Sequence, residues 1–281
     1  MTPSTGPLFS AVIPVHNGEK YLSAAIHSAL RVPYKLMELI VVDDGSNDSS
    51  ARIMDSFSGT IRRLFQPNRG PAAARNLGLQ VARGEIVGFL DADDLWTPGI
   101  VRALELLISC PDVDIVQGRV QEITDLDPDE SVTCYGYISK PYRFINIGSA
   151  VYRRNVFAEI GGFDESMRFC EDYDWFLRAF DAGIQKARID DVTLLYRAHS
   201  GAMTYGKTVH QIGMARVHKK AIERRRSGVA NRSAGKSCPS VAEYIGARPP
   251  RPPHIAKPES NMDLTAHAPA EHISMRAGDE K

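Results

Sequence analysis

The stretch IVGFLDADDLWTP, residues 86–98, decides how the chain folds. Ile86–Leu90 is an apolar run of strand length, and Asp91-Ala92-Asp93-Asp94 ends it. Pro98 then stands where a proline opens a helix, because the first helical turn leaves its N–H positions unpaired anyway. Outward from this point the same alternation repeats. Phe9–Val15, Leu36–Val42 and Ile61–Phe65 are predicted strands, alternating with helical patterns over Tyr21–Leu30, Ser49–Phe57 and Pro71–Ala82. A further helix is predicted from Pro98 to Ile108. Short strands divided by helices imply βαβ units and a parallel sheet covered on both faces. The chemistry of such sheets lies beyond the carboxyl ends of the strands, where His16-Asn17, Asp43-Asp44 and Asp91-Ala92-Asp93 fall.

Composition bounds the rest. Of the 281 residues 43% are hydrophobic and 24% charged, the make-up of a soluble globular protein. The 34 Lys and Arg balance the 34 Asp and Glu. No global field therefore attracts polyanions, and a nucleic-acid partner is not expected. Four scattered cysteines without a CxxC pair exclude a zinc ribbon and point to thiols in a reducing compartment. With no membrane-span-length apolar run and no secretory start, a cytoplasmic location is expected. Beyond Gly228 the only aromatic residue is Tyr244, while Pro249, Pro250, Pro252 and Pro253 cluster. Residues 228–281 are thus expected to be a Pro/Arg-rich flexible tail after a single domain over 1–227. The basic stretch 211–226 is read as a solvated C-terminal helix. Its alternative is a helix lying on an anionic inner membrane face.

Neither a GxGxxG loop nor a GxxxxGK[ST] loop follows the first strand, so the two commonest phosphate cradles are absent. A bound nucleotide would need a metal ion at its phosphates. Asp91-Ala92-Asp93 suits that role, since packed carboxylates repel unless a cation sits between them, and hard oxygen ligands favour Mg²⁺ or Mn²⁺. Helix capping is the plain alternative. Asp43-Asp44-Gly45-Ser46 offers a carboxylate for a base N–H, or ordinary turn chemistry. Glu171 and Asp172 open a helical pattern, where the helix dipole keeps carboxylates charged and one of them can act as a general base.

The succession VIPVHNGEKYL (12–22), LIVVDDGSNDSS (39–50), QPNRGPAAARNLGLQVARGE (66–85), IVGFLDADDLWTP (86–98) and GGFDESMRFCEDYDWFLRAFDAG (161–183) resembles family 2 glycosyltransferases. The resemblance implies an α/β GT-A fold, a Rossmann-like, mainly parallel mixed sheet flanked by helices. It further implies a nucleotide-binding half over about 9–110, an acceptor half over about 111–205 and a C-terminal helix over about 206–227. By the same resemblance Pro14, His16 and Glu19 touch the base and ribose of a nucleotide-sugar donor, Asp44 bonds a pyrimidine N–H, and Arg75 lies close to the nucleotide. Asp91 and Asp93 match the metal-binding pair, with Asp94 as a substitute if the register differs by one. Asp172 matches the acceptor-activating base beside Glu171, and His199 lies where some members place a histidine on the metal. The implied activity is inverting transfer of a UDP- or dTDP-linked sugar to a glycan, lipid-linked or small-molecule acceptor, with Mn²⁺ or Mg²⁺. Gln117, Glu122, Asn146 and Ser149 are candidates for the wall of the donor pocket. Two rival readings are a non-catalytic nucleotide-sugar-binding scaffold and a sugar-phosphate nucleotidyltransferase. The second lacks its G-x-G-[ST]-R-[LM] loop here.

Overall fold

The computed structural model describes residues 6–125, 135–208, 210–227 and 240–248. Four parallel strands form its first half: β1 (Phe9–Val15), β2 (Met37–Asp44), β3 (Arg62–Gln66) and β4 (Ile86–Phe89). They alternate with α1 (Leu22–Leu30), α2 (Ser50–Ser56) and α3 (Pro71–Val81). The short β5 (Leu95–Trp96) and α4 (Gly99–Ser109) follow. The second half adds β6 (Ile115–Asp125), β7 (Tyr135–Tyr137), β8 (Ala150–Arg153), α5 (Asn155–Ile160), α6 (Glu171–Asp181), β9 (Lys186–Arg197), α7 (Met214–Arg226) and α8 (Val241–Ile245).

One sheet runs through both halves in the order β3-β2-β1-β4-β8-β6-β9-β5, with β7 paired to β6. β8 is antiparallel to both β4 and β6, so the sheet is mixed. The first expected strand, β1, is flanked by β2 and β4, and every residue of it is buried. Helices cover both faces, and two apolar layers result. One gathers Phe89, Tyr152, Phe157, Phe163 and Trp175; the other gathers Ile13, Leu22, Ile26, Leu90 and Leu104.

The order reverses direction between β1 and β4, the switch point where α/β sheets open a crevice. Two local features shape it. The Val12 carbonyl accepts from Leu90 N–H at 2.9 Å. Pro14, two residues on, therefore presents its backbone to the side where β4 has ended, and its missing donor goes unneeded. Gly78 lets α3 lie against β1: a Cβ there would stand 2.3 Å from Val12 Cγ1. That close approach brings Arg75, one turn earlier, to the end of the sheet.

One expectation changes. Within the stretch expected to be a tail, Ser240–Arg248 belongs to the same compact unit as the sheet. Ser240 and Glu243 form a capping box, Tyr244 and Ile245 are buried, and Ile145 N–H donates to the Ile245 carbonyl at 2.9 Å. The remainder of 228–281 lies outside the described residues. In α7, Val217 and Ala221 turn inward, while Lys220, Arg224 and Arg225 bond Asp164, Asp174 and Asp181. Of the apolar residues of this helix, Val217 and Ala221 are thus buried against the protein while Ile222 is 49% exposed. Among the described residues no helix is long and apolar enough to cross a membrane.

Candidate active site

The loop after β1 is knotted to the loop after β2. Asn17 takes a left-handed conformation (φ 51°), its N–H donates to Ser46 Oγ at 2.9 Å, and its Oδ1 accepts from Asn47 N–H at 2.9 Å. Gly18 N–H donates to Ser50 Oγ, and Glu19 accepts from Ser49 N–H at 3.0 Å. His16 is exposed at the tip, with Nδ1 3.0 Å from the Asp44 carbonyl. A Cβ on Gly18 would lie 3.5 Å from the Cβ of Ala92, so this loop touches the acid motif across the switch point.

Asp44 faces inward. Its carboxylate accepts from Gln66 Nε2 at 2.7 Å and from the N–H groups of Arg69 and Gly70, both at 2.8 Å. It thereby anchors the loop that starts α3. A carboxylate offers about four acceptor positions, and three are used here.

The acids after β4 divide. Asp93 faces solvent, with its side chain 35% exposed, and its Oδ2 lies 3.0 Å from His199 Nε2. Asp94 points the other way: it is buried, accepts from Arg197 N–H at 2.8 Å, and leaves Oδ2 without a partner. Burial and the neighbouring Asp93 and Asp91 charges push its proton affinity well up. Asp94 is thus engaged by the Arg197 backbone rather than by His199. Asp91 is drawn to Arg75, whose Nη2 stands 2.5 Å from its Oδ1.

Arg75 also donates from Nη1 to Glu171 Oε1 at 2.5 Å. This buried guanidinium thus ties the acid motif to the start of α6. Next to it Asn76 makes a two-way bond with the Phe163 backbone, 2.8 Å each way, which fixes the Gly161–Asp164 loop on α3. Cys170 takes a left-handed conformation (φ 59°) immediately before Glu171. Asn17 and Cys170 are the non-glycine residues with positive φ among those described, and both border this cleft. Asp172 is half-buried. Burial and the Glu171 charge push its carboxyl up to about 7, against the pull of Arg75.

The family model described as Glycosyl transferase family 2 matches residues 10–161. The chain belongs to that family. It is 33% identical over 190 residues to the minor teichoic acid biosynthesis protein GgaA of Bacillus subtilis, covering 60% of this chain and 42% of that one. Among solved structures it resembles S. aureus TarS 1–349 in complex with UDP-GlcNAc (TM-score 0.57, 21% identity, 72% of this chain and 62% of that one). The mannosyltransferase PcManGT of Pyrobaculum calidifontis, in complex with GDP-Man and Mn²⁺, has a TM-score of 0.57 at 18% identity, covering 80% and 66%. At these identities the structures show a shared fold. The chain spans between 41% and 68% of the length of the first curated relatives it matches.

The expected residues lie at the ends of β1 and β2, on the loops after β1, β4 and β9, in α3 and at the start of α6, with Asp44 and Asp94 buried. Among the described residues no three His, Cys, Asp or Glu side chains converge to hold an ion. The protein itself offers Asp93 and His199, with Asp91 held by Arg75. That pair still fits a hard divalent ion: carboxylate and imidazole lie side by side, both reach solvent, and waters and phosphate oxygens would complete the shell. The suggested wall residues are committed elsewhere. Gln117 bonds Phe144, Ser149 and Lys186; Asn146 caps the turn at 147–149; Glu122 bonds Tyr142 and Arg248.

Sequence reasoning missed the support beneath Asp93. Arg197 Nε donates to the Asp93 carbonyl at 3.0 Å, its Nη1 pairs with Asp125, and its guanidinium lies 4.9 Å from the Tyr21 ring centroid. Tyr21 donates to Asp125 at 2.9 Å and packs its ring 4.8 Å from His199. The only local signal was a charge inside an apolar strand, Arg197 after Leu194-Leu195-Tyr196.

Proposed function

We propose that the protein transfers a sugar from a nucleoside-diphosphate sugar, UDP- or dTDP-linked, to an acceptor hydroxyl with inversion at the anomeric carbon. The observation that carries this reading is the double contact of Arg75, 2.5 Å to Asp91 and 2.5 Å to Glu171. It sets the donor-side acids and the proton-accepting helix start against each other across one cleft.

In this reading Pro14, His16 and Glu19 border the base and ribose, and Asp44 keeps its remaining acceptor position for a pyrimidine N–H. Asp93 and His199 would hold Mn²⁺ or Mg²⁺, with Asp91 beside them on Arg75. Such an ion, when bound, neutralises a diphosphate and makes it a better leaving group. Asp172 takes the proton of the acceptor hydroxyl as that oxygen attacks the anomeric carbon, and the carbon–oxygen bond to the diphosphate breaks on the opposite face. A base is most effective when its pKa lies near the working pH, and Asp172 at about 7 meets that condition. Glu171, turned to Arg75, acts through Asp172 by raising its proton affinity. The UDP-GlcNAc in the TarS 1–349 structure supports a UDP-linked donor, and the Mn²⁺ with GDP-Man in PcManGT supports the metal. The teichoic acid relative supports a glycan acceptor.

The test is a panel of nucleotide sugars, each with and without Mn²⁺, followed by melting temperature, nucleoside diphosphate release and the anomeric configuration of the product. A true donor at 100 times its Kd stabilises by about 2.7 kcal/mol. No shift and no diphosphate release across the panel overturns the reading, and a product with retained configuration overturns the single displacement.

A further inference from the structure

Between Asp191 and Glu223 the sequence has no acid, yet it is dense in Lys, Arg and His. These cations are held in two different ways. On the later turns of α7, Lys220, Arg224 and Arg225 are each neutralised by Asp164, Asp174 or Asp181. Beside the start of α6 the partners are neutral instead. Lys207 Nζ sits 5.7 Å over the Phe169 ring, and Arg216 donates to the Ser166 carbonyl and Oγ at 3.2 and 3.0 Å. Arg168 is exposed on the same stretch. Among the described residues none of these three has a carboxylate at ion-pair distance. All gather on Ser166–Tyr173, the run that leads into Asp172, and the loop bearing Lys207 also exposes Met203 (47%) and Tyr205 (51%).

We propose that this rim binds an acceptor glycan carrying phosphodiester groups. A cation positioned by a neutral partner keeps its charge uncompensated and can pair with a phosphate oxygen through a charge-assisted hydrogen bond. Grouped at a cleft mouth, such charges raise the local concentration of an anionic substrate. A neutral oligosaccharide would draw no benefit from them. A lipid headgroup carries the same phosphate, but Val217 and Ala221 of α7 are buried and the exposed apolar side chains near the rim are the scattered Met203, Tyr205 and Ile222, so the vesicle arm of the titration tests this source. The inference rests on Asp172 as the acceptor's proton acceptor and adds the charge of the molecule it serves.

The full chain is titrated with a synthetic oligo(glycerol phosphate), with a neutral oligosaccharide of the same length, and with phosphatidylcholine/phosphatidylglycerol vesicles, each with and without UDP and Mn²⁺. The oligophosphate is expected to bind about tenfold or more tightly than the neutral chain, and to weaken as salt rises. The triple variant Arg168→Gln, Lys207→Gln, Arg216→Gln should lose about tenfold or more of that affinity while UDP affinity is unchanged. Equal binding of the two oligomers, binding of neither, preference for vesicles, or an unaffected triple variant overturns the proposal. Failure of UDP to bind overturns the donor reading instead, and the titrations without UDP still decide this one.

Discussion

Two pairs of neighbouring acids border the cleft, Asp93-Asp94 and Glu171-Asp172, and they are built alike but compensated differently. In each pair one acid is buried and the other is more exposed. Buried Glu171 meets a guanidinium at 2.5 Å. Buried Asp94 meets a single backbone N–H and keeps an orphaned oxygen. The difference decides what the more exposed acid experiences. The Glu171 charge beside Asp172 helps lift it to about 7. Asp94 has its own proton affinity driven up by burial and by its neighbours. In the proposed reaction one pair would move a proton and the other accept a cation.

The sharpest way to break the comparison is Asp172→Asn. Turnover should fall by about 10²–10⁴, with the KM for donor unchanged, because the lost group acts on the acceptor proton alone. Steady-state release of nucleoside diphosphate measures it; near-normal kcat would remove Asp172 from its role. The pH profile sharpens the same point. A base with a pKa of about 7 gives kcat that rises with pH through that value. Glu171→Gln removes a charge that raises it, so the acidic limb should move to lower pH.

Next in size is Arg75→Ala. It leaves Glu171, only 8% exposed, as an unpaired buried charge. Such losses cost about 3–5 kcal/mol, read here as a lowered denaturant midpoint. If the variant kept wild-type stability, the guanidinium would not be what holds the two acid loops together. Asp93→Ala should be folded and specifically impaired: the gain in UDP affinity on adding Mn²⁺ should shrink by about tenfold to a hundredfold. An unchanged titration with UDP and Mn²⁺ would place the ion elsewhere.

Where the sequence was legible, the signals were local. β1 has the bounds read from its apolar run, and Pro71 and Pro98 mark helix starts within a residue. β2 runs on to Asp44, past the expected end at Val42, because its pairing with β3 continues to Gln66. What stayed hidden depends on partners far along the chain. Nothing near residue 94 says that Arg197 N–H will claim its carboxylate, and nothing near 171 names Arg75. The docked piece at 240–248 was hidden for a different reason. Composition averaged over a Pro-rich stretch outweighs one capping box, two apolar side chains and the pairing of Arg248 with Glu122 at 2.7 Å.

The smallest effect belongs to Asp94, and its sign is informative. A carboxyl whose proton affinity is raised in the folded state stabilises that state fully only below its ordinary pKa, and the contribution is lost as pH rises through the raised value. Asp94→Asn keeps an acceptor oxygen for Arg197 N–H and removes the charge. The variant should therefore melt at or above the wild-type temperature at pH 8, with the gap closing as pH falls toward the ordinary carboxylate range. Melting curves at several pH values check this. A variant that melts several degrees lower at pH 8 would mean that the Asp94 charge is compensated, and the contrast with Glu171 would collapse. Metal binding gives an independent reading. Asp94 is bonded to the Arg197 backbone while Asp93 lies against His199, so Asp94→Asn should leave the Mn²⁺-dependent gain in UDP affinity intact, whereas Asp93→Ala should not.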